Sequence, residues 1–142
     1  MSSIRAFDRA QDAFNLAKKE PVQQKVLMFI IPSKVKQGVV KTETRFPYAG
    51  RIVSAYASCG TAGTTVTEIQ VERCSQSDYD TIPNWNNIFA DNLKFAADAK
   101  STTNSTYAMA DDAVHPDDHF RVNVVGLGQG IEDIVLEVVI QI

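Results

Sequence analysis

The sequence predicts an all-β protein: an antiparallel, jelly-roll-like β-sandwich preceded by one N-terminal α-helix. Three observations lead to this prediction. Short apolar runs alternate with polar residues, turn residues separate these runs at regular spacing, and no helical periodicity follows residue 22. A length of 142 residues favours a single domain. We therefore expect a helix for assembly over residues 1–20 and one β-sandwich domain over residues 21–142.

The predicted helix occupies residues 3–19. A serine precedes it as a cap, and the segment contains no glycine or proline before Pro21. A short helix is only marginally stable by itself, so its apolar side must pack against something. We consider two alternatives, docking on its own β domain and contact between the helices of neighbouring protomers. Four residues at heptad a and d spacing would form the oligomer interface: Ile4, Phe7, Gln11 and Phe14.

The strands predicted next begin with the longest apolar run of the chain. Residues 25–31 predict a strand buried on both faces and ended by Pro32. Residues 35–45 predict a more exposed strand with a possible bulge at Gly38. Residues 51–59 predict a strand in which alternate residues share one face: Val53, Ala55, Ala57 and Cys59.

The second half of the chain continues the pattern. Apolar and polar residues alternate over 67–71, which predicts a strand with one solvent-exposed face, and residues 75–87 are turn-rich. Short strands are predicted at 86–90, at 92–97 and near Tyr107.

Two further strands complete the predicted sandwich. One begins at Phe120, and the last alternates over residues 134–142, which ties the end of the chain into a sheet. The glycine-rich segments 60–63 and 126–130 predict hairpin turns. Neither has the spacing of a nucleotide-binding loop, because a strand follows each of them instead of a helix.

Charge is distributed unevenly along a chain of net charge −3. Residues 1–51 hold ten Lys/Arg and four Asp/Glu, whereas residues 52–142 hold four Lys/Arg and thirteen Asp/Glu. Three interpretations stay open: a basic surface that meets the acidic surface of a neighbouring copy, a basic surface that meets nucleic acid or an acidic partner, and neutralisation within one fold. The balance argues against a strongly basic nucleic-acid binder. We also expect no membrane span, no secretory signal, and two free thiols.

Two groups of side chains could carry chemistry. Aromatic rings among amides and carboxylates suit a saccharide, so we name Tyr79, Trp85 and Tyr107 as a possible saccharide-binding set. The alternative for Trp85 is that it closes one end of the core. His115, Asp117 and His119 resemble a metal-ligand set, but Pro116 favours a turn leading into a strand. We expect no catalytic residues, no metal and no cofactor.

Two segments carry a resemblance to phage structural β domains. They are the stretch from Phe46 to Tyr56 with its following turn and strand, and the stretch from Asp118 to Val124 with its following glycines. The whole chain resembles small distal-tail proteins of Bacillus-infecting siphophages, which are similar in fold to the shoulder domain of lactococcal phage receptor-binding proteins. In those receptor-binding proteins the shoulder attaches to the tail and a separate head binds saccharide.

The resemblance implies a non-enzymatic virion protein. It would form a trimer or hexamer at the tail tip or baseplate, contact other tail proteins, and be made in the host cytoplasm. It implies no nucleic-acid or membrane partner. The alternative function is a module that binds host cell-wall saccharide directly.

Overall fold

The computed structural model describes residues 23–102 and 110–142. Of these residues, 57% lie in strands and 4% in helix, and the strands form antiparallel sheets of a β-sandwich. The mainly β prediction is confirmed. The helix predicted over residues 1–20, with its interface residues Ile4, Phe7, Gln11 and Phe14, lies outside the described residues, as does Tyr107. No helix within the described ranges is long and apolar enough to cross a membrane.

The first sheet, sheet A, contains four strands. Strand β1 (Gln24–Lys34) lies at one edge and pairs with β10 (Glu132–Gln141). The sheet continues through β4 (Gly50–Thr61) to the two-residue strand β8 (Ala113–Val114). The first and last long strands of the described chain are therefore neighbours.

The second sheet, sheet B, is built around two long strands. Strand β9 (Asp118–Gly126) pairs with β5 (Thr67–Cys74). On its other side β9 pairs with β2 (Gly38–Val39) and β3 (Thr44–Phe46). Strand β5 also pairs with two short strands, β6 (Asn86–Asn87) and β7 (Leu93–Phe95). A five-residue helix, α1 (Gln76–Asp80), lies between β5 and β6 in the chain.

The core lies between the sheets because apolar residues alternate along the long strands. In β10 the inward residues are fully buried, as predicted from the alternation: Ile134, Leu136, Val138 and Ile140. In β9 and β5 the corresponding residues also have no exposed surface: Phe120, Val122, Val124, Ile69 and Val71. These faces form one continuous core, so the sandwich folds around a single hydrophobic centre.

The glycine-rich connections do not form the predicted hairpins. The segment after β4 leads from sheet A to sheet B, and the segment after β9 leads back from sheet B to sheet A. Gly128 lies where these connections meet, and its backbone N–H donates to the Thr67 hydroxyl at 2.9 Å. A Cβ at Gly128 would collide with the Thr65 carbonyl oxygen. The glycine is needed for close approach of two backbones.

Strand β1 differs from its prediction in two respects. It is buried on one face only: Leu27, Phe29 and Ile31 point into the core, whereas Val26, Met28 and Ile30 are exposed. No second layer covers the outer face of sheet A within the described residues. The prediction of two buried faces was wrong because an apolar run reports hydrophobicity but not the number of layers around it.

Proline does not end β1 at the predicted place. The strand continues through Pro32 to Lys34, with an irregular register between Ile31 and Lys34. Ser33 lies there with a positive φ of 61°, and its N–H donates to Asp133 Oδ1 at 2.7 Å. A side-chain acceptor therefore replaces the sheet partner at this bend.

Two other elements depart from the sequence pattern. In β4, Ile52 is buried and Val53 is exposed, the reverse of the predicted alternation. The cause is a bulge, since the register with β10 shifts between Val139 and Ile140. The turn-rich segment 75–87 contains helix α1, whose N-cap Ser75 accepts from the Asp78 N–H at 3.2 Å.

Candidate functional site

The structure brings two of the three predicted saccharide-binding residues together. Tyr79 on α1 and Trp85 in the following loop meet edge to face, with ring centroids 6.2 Å apart. Both are half-buried on the outer surface of sheet B. Trp85 lies outside the buried core, so the alternative that it closes one end of the core was wrong.

Helix α1 places Tyr79 over strand β9. The side chains of β9 alternate, so His119 points outward while Phe120 points into the core. The Tyr79 ring stacks on the His119 imidazole with centroids 3.8 Å apart and planes 3° apart. Gln76, also on α1, lies with Oε1 2.7 Å from His119 Nε2. One turn of helix is therefore attached to the sheet through a single histidine.

Trp85 rests on an arginine of the same strand. The Arg121 guanidinium carbon lies 4.3 Å from the centre of the Trp85 ring, a cation–π contact. Arg121 also donates from Nε to Glu72 Oε1 at 2.7 Å. Asn123 Nδ2 lies 3.4 Å from the other oxygen of Glu72. The aromatic cluster, defined here as Glu72, Tyr79, Trp85, His119 and Arg121, thus joins three rings to an ion pair.

The phenol of the aromatic cluster faces a carboxylate. A hydrogen bond between the Tyr79 hydroxyl and the Glu43 carboxylate, and the negative charge of Glu43, raise the pKa of Tyr79 above its ordinary value. The phenol therefore stays protonated and serves as a donor over a wide pH range. Chemically, the cluster offers aromatic surface bordered by hydroxyl, amide and carboxylate groups, the set that suits a sugar ring.

The residues that resemble a metal-ligand set in the sequence, His115, Asp117 and His119, do not converge on one point. Asp117 accepts from Arg45 at 2.7 Å, and His119 is held by Tyr79 and Gln76. His115 is exposed, with its Nδ1 3.9 Å from Asp118. Across the described ranges, no three His, Cys, Asp or Glu side chains form a group suited to a metal ion. The three residues occupy one short segment but have separate neighbours.

A second polar group forms around Arg73, a residue that no sequence pattern indicated. Arg73 donates to the Ala113 carbonyl and, from Nη2, to Asp111 Oδ2 at 2.7 Å. Its Nε lies 3.8 Å from the buried carboxylate of Asp118. Asp118 in turn accepts from the His115 backbone N–H at 2.9 Å. Arg73 therefore attaches the segment before β9 to β5, a structural role.

The pKa of Asp111 is lowered by this arrangement. The main cause is the hydrogen bond from the Ala113 backbone N–H, 3.1 Å from Oδ1, and the positive charge of Arg73 acts in the same direction. The two cysteines show the opposite kind of shift. Burial raises the pKa of Cys59 and of Cys74, and both thiols are unpaired. Neither thiol is activated as a nucleophile.

The outer face of sheet A is the other candidate surface. Val26, Met28 and Ile30 on β1 are 53%, 53% and 63% exposed. Their register partners on β10 also point outward, and Tyr56 on β4 extends the surface across a third strand. We call this surface the apolar face and define it by six residues: Val26, Met28, Ile30, Tyr56, Val135 and Val139. Glu137 is the one charged register partner of these β1 residues.

The apolar face continues to an open sheet edge. Among residues 23–102 and 110–142, β10 is the strand that pairs with β1, and no strand lies on the other side of β1. No pocket forms in the part of the chain that the structure describes. The candidate sites are therefore surfaces, one aromatic and polar on sheet B, the other apolar on sheet A.

Comparison with known proteins gives distant structural likeness alone. No protein-family model matches the chain, and no curated protein matches it. A crystal structure of PirA is similar with a TM-score of 0.40 and 13% identity, over 80% of this chain and 92% of that one. A crystal structure of a serine protease of Aeromonas sobria gives a TM-score of 0.28 and 9% identity, over 91% of this chain but 29% of the protease. Neither likeness supports a statement about what this chain does.

Proposed function

We propose that this chain is a non-enzymatic structural protein of a bacteriophage virion, which forms a homo-oligomer at the tail tip or baseplate. The proposal combines the sequence resemblance to small distal-tail proteins of siphophages with one structural observation. That observation is the apolar face, where three large apolar side chains of one strand are more than half exposed. Adjacent exposed apolar side chains are typical of interaction sites.

The connectivity is consistent with this proposal. If β2 and β3 count as one strand, and β6 and β7 as another, the sheets have the orders β1, β10, β4, β8 and β2/β3, β9, β5, β6/β7. This is the order of two interleaved Greek keys, a jelly roll. Jelly rolls are common in viral structural proteins, although the fold supports the role only by association.

The proposed assembly is a trimer or hexamer with the N-terminal segment at the interface. In that assembly, the substitutions Phe7→Asp and Phe14→Asp would each place a charge in the apolar stripe of the predicted helix. We expect them to lower the solution mass while the β-sandwich keeps its thermal unfolding transition. Light scattering behind a sizing column measures the mass. Variants with the mass of the wild type would contradict the helix interface.

The place in the virion needs its own experiment. Antibodies raised against the purified chain should label the tail tip of the phage that encodes it, as seen by immunogold electron microscopy. Labelling of the capsid, or no labelling of virions, would contradict the proposal. The same antibodies against an unrelated siphophage provide the control.

A second function has a specific observation in its favour. Tyr79 and Trp85 meet beside Arg121 and Glu72 on the outer surface of sheet B, a set of groups that suits a saccharide. In this alternative, the chain binds host cell-wall saccharide through the aromatic cluster. Loss of cell binding in Trp85→Ala without loss of thermal stability would support it.

A further inference from the structure

Within residues 23–102 and 110–142, the open edge of β1 lacks the usual protection of an edge strand. Such strands are normally shielded by charges, prolines, bulges or a covering segment, since their free backbone groups pair readily with another chain. In β1 these devices occur only toward the ends, as Lys25, Pro32 and Lys34. Residues 26–31 between them are all apolar. A six-residue stretch of β1 is therefore suited to pairing with another strand.

We propose that this strand is a second copy of β1, joined to the first in antiparallel fashion around a two-fold axis at Met28. This inference rests on the proposed homo-oligomeric function and deepens it by naming the contact. The partner is another copy because, about Met28, every residue of 26–30 faces another apolar residue and no lysine faces a lysine. In that register, Val26 faces the second copy's Ile30, Leu27 faces Phe29, and Met28 faces Met28.

The side-chain pattern selects this register. Opposite residues of an antiparallel pair lie on the same face, so the axis must pass through a residue and not between two. An axis at Phe29 would place Pro32 opposite Val26, where proline removes a hydrogen-bond donor. An axis at either residue matches five consecutive apolar residues, but the axis at Met28 moves Pro32 one position outward, opposite Gln24, and sets Lys25 against Ile31. Like charges then do not face one another across the axis.

The pairing extends both surfaces of sheet A. On the inner side, Leu27 and Phe29 of each copy adjoin the core of the other. On the outer side, the apolar face becomes continuous across the axis and twice as wide. The two copies of sheet A then form one eight-stranded sheet, in which both β1 strands lie at the centre and no longer at an edge.

The start of the described chain is compatible with such pairing. Gln23 is held beside β10, since its carbonyl accepts from the Ile142 N–H at 2.9 Å. In an antiparallel pair, the two Gln23 residues lie at opposite ends of the joined strands. The described chain of each copy therefore begins at a different end of the contact.

This contact distinguishes a hexamer from a trimer. Three-fold contacts through the N-terminal segments combined with two-fold contacts through β1 produce a hexamer of two trimers. We expect the wild-type chain of 142 residues to have the mass of a hexamer by light scattering. Met28→Lys places a charge on the axis and should halve that mass to a trimer. Tyr56→Lys adds the same charge to the same face, two strands from the edge, and should leave the hexamer intact.

A cross-link tests the register directly. Opposite residues of an antiparallel pair have Cα atoms about 4.5–5.5 Å apart, within the range of a disulfide. Met28→Cys should therefore form an intermolecular disulfide with oxidised glutathione, visible as a dimer on a non-reducing gel. Val26→Cys is the control, since the two copies of residue 26 lie about 13 Å apart along the strands. Cys59 and Cys74 are buried, so we expect neither to compete for this cross-link.

The outcomes separate the two proposals. If the wild type is a trimer and the Met28→Cys variant forms no cross-link, the β1 contact is overturned and the proposed assembly still stands. A wild-type monomer would overturn both. A dimer that cross-links through Met28→Cys would support the β1 contact and contradict the N-terminal interface. Loss of the hexamer in Tyr56→Lys as well as Met28→Lys would indicate stacking of apolar faces and overturn the edge pairing.

Discussion

Glu72 and Arg121 lie directly opposite each other on β5 and β9 and form an ion pair with Nε and Oε1 2.7 Å apart. Both side chains are largely buried, and the guanidinium lies against Trp85. The pair therefore links the register of sheet B to the position of the aromatic cluster. Its contribution to stability can be separated from that of exposed ion pairs elsewhere in the molecule.

We expect Arg121→Ala to lower the free energy of unfolding by about 2 kcal/mol, because hydrogen bonds to charged groups contribute ~1.5–3 kcal/mol. The substitution leaves the Glu72 carboxylate without its closest partner. Urea unfolding measures the loss, and Trp85, the single tryptophan of the sequence, reports it by fluorescence. Arg51→Ala is the matched control, since its pair with Asp112 at 3.7 Å is exposed and should be worth under about 1 kcal/mol. Equal effects of the two substitutions would contradict this interpretation.

We expect Arg73→Ala to lower the free energy of unfolding by more than Arg121→Ala does. Asp118 has a side chain only 4% exposed, and removal of Arg73 leaves its charge buried with one fewer partner. Breaking a buried pair from one side costs about 3–5 kcal/mol. The control Arg45→Ala removes an exposed partner of Asp117 and should change stability by about 1 kcal/mol or less. A small effect of Arg73→Ala in urea unfolding would show that Asp118 is satisfied by backbone groups.

Stability should depend on the charge of Asp111 in acid. Since the native pKa of Asp111 lies below its ordinary value of 3.8, its carboxylate stabilises the native state above pH 3.8. This contribution is lost as the pH falls from 3.8 through the native pKa. The Asp111→Ala variant lacks this contribution at every pH. The difference in free energy of unfolding between the wild type and the variant should therefore become smaller as the pH falls. Urea unfolding at pH 6, 4 and 3 measures that difference. A difference that stays constant would assign the effect to something other than ionisation.

The substitution Trp85→Ala distinguishes the two candidate functions. If the aromatic cluster binds saccharide, the variant should lose binding to host cell walls with a change in melting temperature no larger than that of Tyr48→Ala, an exposed aromatic control. If Trp85 instead holds Arg121 and α1 in place, the melting temperature of the Trp85→Ala variant should fall and its binding to cell walls should not change. Pull-down with purified cell walls and thermal unfolding provide the two measurements.

Strand position was predictable where alternation is strong. In β10 and β5 the inward and outward residues follow directly from the sequence, because one face meets the core and the other meets water. The prediction failed where the backbone departs from regular geometry. The bulge opposite Val139 reverses the pattern at Val53, and no local feature of the sequence marks it.

The candidate site was predicted in part. Tyr79 and Trp85 were identified from residue type, and the structure places them in contact. Their partners His119 and Arg121 come from a strand about 40 residues later in the chain, so their involvement depends on the β5–β9 pairing. Arg73 was missed for the same reason, since its partners lie on the distant segment before β9.

Periodicity and residue type alone were enough to predict the mainly β character, the inward faces of β10 and β5, and the aromatic residues suited to a ligand. These properties depend on periodicity and residue type, which are local. Three features depend on long-range contacts: which strands are neighbours, the crossing of the glycine-rich segments between sheets, and the outward position of Val26, Met28 and Ile30 at the edge of the described sheet. Pairing between distant strands is decided by the fit of whole faces. An apolar run such as residues 26–31 therefore does not show whether one side or both will be covered.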